Sequence, residues 1–186
     1  MSGITTLKNS RSGNLVIYGT ARCVWEDHKR LDNFHLPHWE EWDTMTVNDA
    51  VMYIPWEVNH AYSHDDEQLV HWIAGRRRRY QAQYDLEIIA HTVTPNKTHG
   101  VIEWPFPNTG TSGLGAAYVA CGLGYDRIVL CGLPLDDSGH FYDPPWIETN
   151  FSREENERRW VRAKKEIFEG RVTSMSGRTR EILGAP

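Results

Sequence analysis

Short apolar runs recur along the chain, and each stops on a glycine or a small polar residue. Asn14 to Tyr18 stops at Gly19. Thr44 to Val47 stops at Asn48-Asp49, and Val58 to Tyr62 stops at Ser63-His64-Asp65. Asp85 to Thr92 runs into a Pro/Asn/Gly/Thr-rich connection over residues 93–110, and Ile128 to Cys131 stops at Gly132. Apolar runs without strict alternation predict strands covered on both faces, as in a parallel sheet. Helical spacing fills the gaps. Leu69, Trp72 and Ile73 mark one buried helix face, and Leu114, Ala117, Tyr118 and Cys121 mark another. A third helix spans 152–169, with Ser152 and Glu155 as a capping box and Trp160, Ala163, Ile167 and Phe168 facing inward. Arg171 to Met175 predicts a last strand, and Arg178 to Leu183 a terminal helix. Strands alternating with helices predict an α/β fold: one Rossmann-like domain over 14–186, its sheet mostly parallel and its helices on both faces. A polar, flexible N-terminus over 1–13 precedes it.

The stretch from Asn108 to Gly132 organises this plan. A polar loop, Asn108-Thr109-Gly110-Thr111-Ser112-Gly113, leads into a small-residue helix that Gly122 and Gly124 end. A helix starting in such a loop presents unpaired amides and a positive dipole end, which suits a phosphate. An ordinary capped helix, with Thr111 or Ser112 as the cap, explains the same residues.

Composition narrows the partners. The formal net charge of −5 argues against nucleic acid, because the one basic run, Arg76 to Arg79, is local. That run sits at a helix end, where cations complement the dipole. Three cysteines without C-x-x-C spacing suit a reducing cytoplasm. No apolar run approaches the ~18 residues of a membrane span, and no signal-peptide segment opens the chain. A homo-oligomer is left open. Residues 28–43 cluster histidine, tryptophan and acid, but the spacing matches no metal motif and Pro37 prevents a helix from aligning His35 with His38.

Candidate chemistry lies just past the strand ends, where open α/β sheets bind ligands. Gly19-Thr20 would let a nucleotide approach the backbone, or would make a plain tight turn. Asn48-Asp49 would read a base or ribose edge, or would make an Asx turn. His64 would face the cleft as a proton carrier, or would only belong to the cap at Ser63–Asp65. The loop after Gly132 carries Asp136, Asp137, His140 and Tyr142. The two carboxylates would hold a divalent cation such as Mg²⁺, His140 would act as acid or base, and Tyr142 would donate to a phosphate oxygen. A surface turn at Ser138-Gly139 is the alternative.

Taken together, Gly19…Glu26-Asp27, Val47-Asn48-Asp49, Ser63-His64-Asp65 and Ser112-Gly113…Gly124-Tyr125…Gly132 resemble one Rossmann-like group. It includes 6-hydroxymethylpterin diphosphokinase-like proteins, bacterial sialyltransferases that use CMP-sialic acid, and many phage-encoded proteins. The resemblance implies that Gly19, Thr20, Asn48, Ser112 and Gly113 hold a nucleotide and that Tyr142 reaches its phosphate. It implies a transferase with a nucleotide or nucleotide-sugar donor, of CMP type or ATP. A non-catalytic nucleotide-binding protein is the alternative. This chain departs from the group at Thr20-Ala21-Arg22, at Pro134, and in having no histidine over 147–186.

Overall fold

A computed structural model describes residues 7–34, 36, 38–80, 87–95, 98–107, 109–148 and 153–186. Seven strands form one sheet: β1 (Asn14–Tyr18), β2 (Asp43–Val47), β3 (His60–Tyr62), β4 (Ile89–Thr92), β5 (Val101–Glu103), β6 (Arg127–Cys131) and β7 (Val172–Ser174). Their spatial order is β5-β4-β3-β2-β1-β6-β7, and every neighbouring pair is parallel. β5 is an addition to the expected plan. It arises inside the connection over 93–110, pairs along its inner edge with β4, and is too short and too exposed to leave a pattern. The Asp85 end of the predicted fourth strand lies outside the described residues, as does Ser152 of the capping box.

Side chains alternate between two cores, as a strand's two-residue period requires. Leu15, Ile17, Met45, Val47, Ile128 and Leu130 face one side. There they meet α3 (Ser112–Leu123), α4 (Arg153–Ala163) and α5 (Gly177–Leu183). Val16, Tyr18, Ala61, Val129 and Cys131 face the other side, under α1 (Val24–Lys29) and α2 (Asp66–Tyr80). Helices therefore cover both faces of a Rossmann-like sheet. Among the described residues, no helix is long and apolar enough to cross a membrane.

Three expectations change on contact with the tertiary structure. α3 is buried nearly all round rather than on one stripe, since Gly115, Ala116 and Ala120 are covered as well. Its small residues allow that approach: a methyl group added at Gly115 would lie 1.9 Å from Tyr62 Oη. Arg76 does not belong with the exposed arginines at the end of α2. It is buried, and its guanidinium donates to the carbonyls of Val51, Ile54 and Trp56, while Arg79 and Tyr80 donate to the Met52 and Tyr53 carbonyls of the same turn. In the N-terminal stretch expected to be flexible, Asn9 and Arg11 amides donate to Gly122 and Leu123 carbonyls at 3.0 and 2.9 Å.

A buried polar chain crosses the α3 side of the sheet. Trp104 Nε1 can only donate, and it donates to His91 Nδ1 at 3.1 Å. His91 must then carry its proton on Nε2, which lies 3.0 Å from His60 Nδ1. His60 Nε2–H in turn donates to Tyr125 Oη at 2.9 Å, and Tyr125 donates to Asp43. Every donor has one acceptor along this line only if both imidazoles are neutral. Burial pushes His60 down to about 4 and His91 well below its ordinary range.

Candidate functional site

The chain leaves β1 toward β2 on one side and returns to β6 on the other. A parallel sheet opens a crevice where the winding direction reverses, outside the carboxyl ends of the strands. A cleft of about 220 Å³ lies there. It gathers Gly19 and Thr20 after β1, Asn48 after β2, Thr111–Gly113 at the start of α3, and Gly132 after β6. Asp136, Gly139 and His140 close one wall, with Trp160 and Thr179 behind.

The strand ends meet closely, and that fixes two glycines. A Cβ at Gly19 would stand 2.4 Å from the Gly132 carbonyl oxygen, which belongs to the backbone and cannot yield. Gly132 itself has φ +67°, and a Cβ there would meet Val24 at 2.6 Å. The Gly132 amide is held by the carboxylate of Asp27 at 2.9 Å. Asp27 is 1% exposed, and its Oδ2 also accepts from Ser176 Oγ at 2.7 Å.

At the start of α3, Thr111 is the cap, and its hydroxyl accepts from the Leu114 amide at 3.4 Å. No acceptor among the described residues meets the amides of Ser112 and Gly113, and both residues line the cleft. The cap and the open amides thus coexist; the two readings of this loop were not exclusive. Asn48 stands opposite with φ +54°, a left-handed conformation that asparagine tolerates better than most residues. Its Oδ1 accepts from Ser63 Oγ at 2.9 Å, which orients the side chain and leaves its Nδ2 donor without an acceptor among the described residues.

His140 enters the wall through a β-bridge to Ala21 and through the Phe141 amide, which donates to the Thr20 carbonyl at 2.8 Å. Its Nδ1 lies 2.6 Å from Thr20 Oγ1, so the imidazole and the hydroxyl form one proton-sharing pair at the end of β1. The loop that carries His140 is clamped by Arg22. That guanidinium donates to the carbonyls of Ser138, Asp143, Pro144 and Ile147. Nothing in the sequence distinguished Arg22 as a support of the site, since it acts through backbone carbonyls far along the chain; Asp27 stood in the motif after Gly19 but without a role.

Of the other expected members, Asp136 lines the cleft, whereas Tyr142, Asp49, His64 and Asp137 stand apart from it. Tyr142 donates to Asp49 at 2.5 Å and stacks between His140 and Tyr53, so Tyr142 and Asp49 satisfy one another instead of a ligand. His64 is half-buried, with burial lowering its pKa, and its Nε2 lies 3.0 Å from Thr109 Oγ1. Thr109 donates onward to the Thr111 carbonyl at 3.1 Å. His64 thus steadies the helix start rather than facing the cleft. The Asp136/Asp137 pair does not converge on a cation: Asp136 accepts from the Ser138 amide at 3.0 Å in a local turn, while Asp137 faces Arg153 at 3.7 Å. Among the described residues, no group of three His, Cys, Asp or Glu side chains comes together to hold a metal ion.

Comparison with family models, curated proteins and solved structures found no match to this chain.

Proposed function

We propose that the cleft binds a nucleotide-linked donor through one phosphate and transfers its group to a hydroxyl acceptor. The observation that carries this reading is the convergence of two open helix-start amides, the donor of Asn48 and the Thr20–His140 pair at the reversal point of the sheet. The amides of Ser112 and Gly113 would take the phosphate oxygens, aided by the roughly +0.5 charge of a helix N-terminus. Asn48 Nδ2 would donate to an oxygen or ring nitrogen of the ribose or base. His140 would accept the acceptor's proton as the new bond forms and as the nucleotide leaves with the electrons of the broken bond. The departing phosphate oxygen gains charge beside the two amides, where stabilisation is strongest in the transition state.

Charge selects among donors. Among the described residues lining the cleft none is Lys or Arg, and Asp136 adds a carboxylate. A polyphosphate would meet that carboxylate with little compensation, whereas a single phosphodiester charge matches one helix dipole. This supports a CMP-type donor over ATP, in line with the sialyltransferase-like side of the resemblance. Calorimetric titration with CMP, CDP and ATP without metal tests this. CMP should bind at least as tightly as the others, and absence of heat or thermal shift with every nucleotide would overturn it.

One observation favours a non-catalytic binder instead. With Tyr142 tied to Asp49 and Asp137 facing Arg153, His140 is the only one of the expected catalytic groups that reaches the cleft. His140→Ala should leave CMP binding intact under either reading, and should stop donor turnover only if the protein is an enzyme.

A further inference from the structure

A second hollow, of about 350 Å³, lies on the α1/α2 side of the sheet, away from the cleft. A single water needs only about 15 Å³ of such space, so this hollow admits an organic group. Its walls are aromatic: Tyr18, His28, Trp39, Trp42 and Trp56. The rings brace one another. His28 lies flat on Trp56 at 4.3 Å, Trp39 stands edge-on to His28 at 5.1 Å, and Tyr18 stands edge-on to Trp56 at 5.3 Å. Tyr18 Oη lies 3.0 Å from His28 Nδ1, and burial keeps that imidazole below its ordinary range, so His28 is a neutral wall. The three indoles remain only partly buried, unlike the core residues around them.

The remaining lining is acidic. Glu40, Glu41, Asp43 and Glu57 all border the hollow, and among its described lining residues none is Lys or Arg. Two of these carboxylates are pre-oriented: Tyr125 donates to Asp43, and Asn59 Nδ2 donates to Glu57 at 3.0 Å. Indole faces attract cations through their quadrupole, and carboxylates add net attraction. The chain already uses one of these rings this way, with the Arg127 guanidinium 5.7 Å from the Trp42 centroid.

We infer that this hollow is a binding site for a small methylated ammonium compound, held by the indole faces and the acidic rim. A quaternary ammonium suits it better than an alkali ion, because an alkali ion prefers oxygen ligands and gains little from dry aromatic walls. The site is independent of the nucleotide cleft and stands if that reading fails.

The test titrates the intact protein with choline, with tetramethylammonium and with 3,3-dimethylbutan-1-ol, the neutral isostere of choline, by calorimetry and tryptophan fluorescence. Choline and tetramethylammonium should bind in the millimolar range or tighter, and the neutral alcohol about 10-fold more weakly or worse. Trp39→Leu, at the rim, should weaken both cations about 10-fold, as should the combined Glu40→Gln, Glu41→Gln and Glu57→Gln replacement of exposed carboxylates. Circular dichroism should show all variants folded. No saturable binding of either cation, equal binding of the neutral isostere, or cation affinity unmoved in both variants would overturn the assignment.

Discussion

Replacing Ser112 by aspartate would separate the proposed role of the α3 start in binding from its role in folding. Ser112 is the first residue of the helix and lines the cleft. A carboxylate in the first turn complements the helix dipole, so Ser112→Asp should raise stability by about 0.3–1 kcal/mol. The same carboxylate would stand roughly 5 Å from a phosphate seated on the amides of Ser112 and Gly113. At an effective dielectric of about 20, that repulsion is about 3 kcal/mol. CMP affinity should therefore fall by a factor of about 10² while the melting temperature stays level or rises. Ser112→Ala is the control. It removes one hydroxyl and leaves both amides, so its loss should be about 1 kcal/mol or less. Calorimetry measures the affinities and scanning calorimetry the stabilities. If Ser112→Asp binds CMP within about threefold of the parent, the phosphate does not sit on this helix start.

Other consequences can be checked on the same material. Arg76→Met keeps the apolar stem but strands the carbonyls of Val51, Ile54 and Trp56. It should cost about 3 kcal/mol in urea unfolding, and a cost under about 1 kcal/mol would show that water replaces the guanidinium. The neutral His60–His91 pair makes stability fall on acidification. Unfolded histidines titrate near 6.5, so below that pH the unfolded state binds more protons, and stability should decline as pH drops toward about 4, where His60 charges in the folded state. The His60 share is on the order of 3 kcal/mol, so His60→Gln should lose less stability from pH 7 to 4 than the parent, with the His91 share remaining, and equal slopes in the two proteins would refute the assignment. Gly19→Ala should impair folding far more than Gly113→Ala. The former drives a methyl group against the Gly132 carbonyl at 2.4 Å, whereas the latter meets the movable end of Leu133 at 2.9 Å. Arg22→Ala should raise amide exchange across 138–147 while leaving the sheet protected, because its guanidinium ties the carbonyls of that loop.

What could be read from the sequence was what local physics decides. β1 has the bounds expected of it because an apolar run between two glycines admits little else, and β2, β6 and the helices over 66–80 and 112–123 follow the same logic. β5 was hidden because three residues at an edge carry no periodicity. Arg76 was misplaced for a different reason. An arginine run at a helix end satisfies the dipole wherever its members point, and only the carbonyls of the 51–56 turn, brought up by the fold, select one of the four for burial. The His60–His91–Tyr125–Asp43 chain was likewise invisible, since its members come from four separate strands or strand ends.

The same division runs through the candidate site. Gly19, Thr20, Asn48 and Gly132 meet because they end parallel strands, and a parallel sheet brings its carboxyl ends to one edge whatever the loops do; Ser112 and Gly113 join them because α3 packs across β1 to β4 with its start at that edge. Tyr142, Asp49, His64 and Asp137 depended on loop direction, which Arg22, Thr109 and Arg153 set from elsewhere. The proposed ligand-binding role of the cleft therefore rests on backbone and strand-end positions. The proposed group transfer rests on one loop residue, His140, and on the clamp that holds it. Loss of the Arg22 clamp should then separate the two proposed roles, sparing CMP affinity and lowering any turnover that depends on His140.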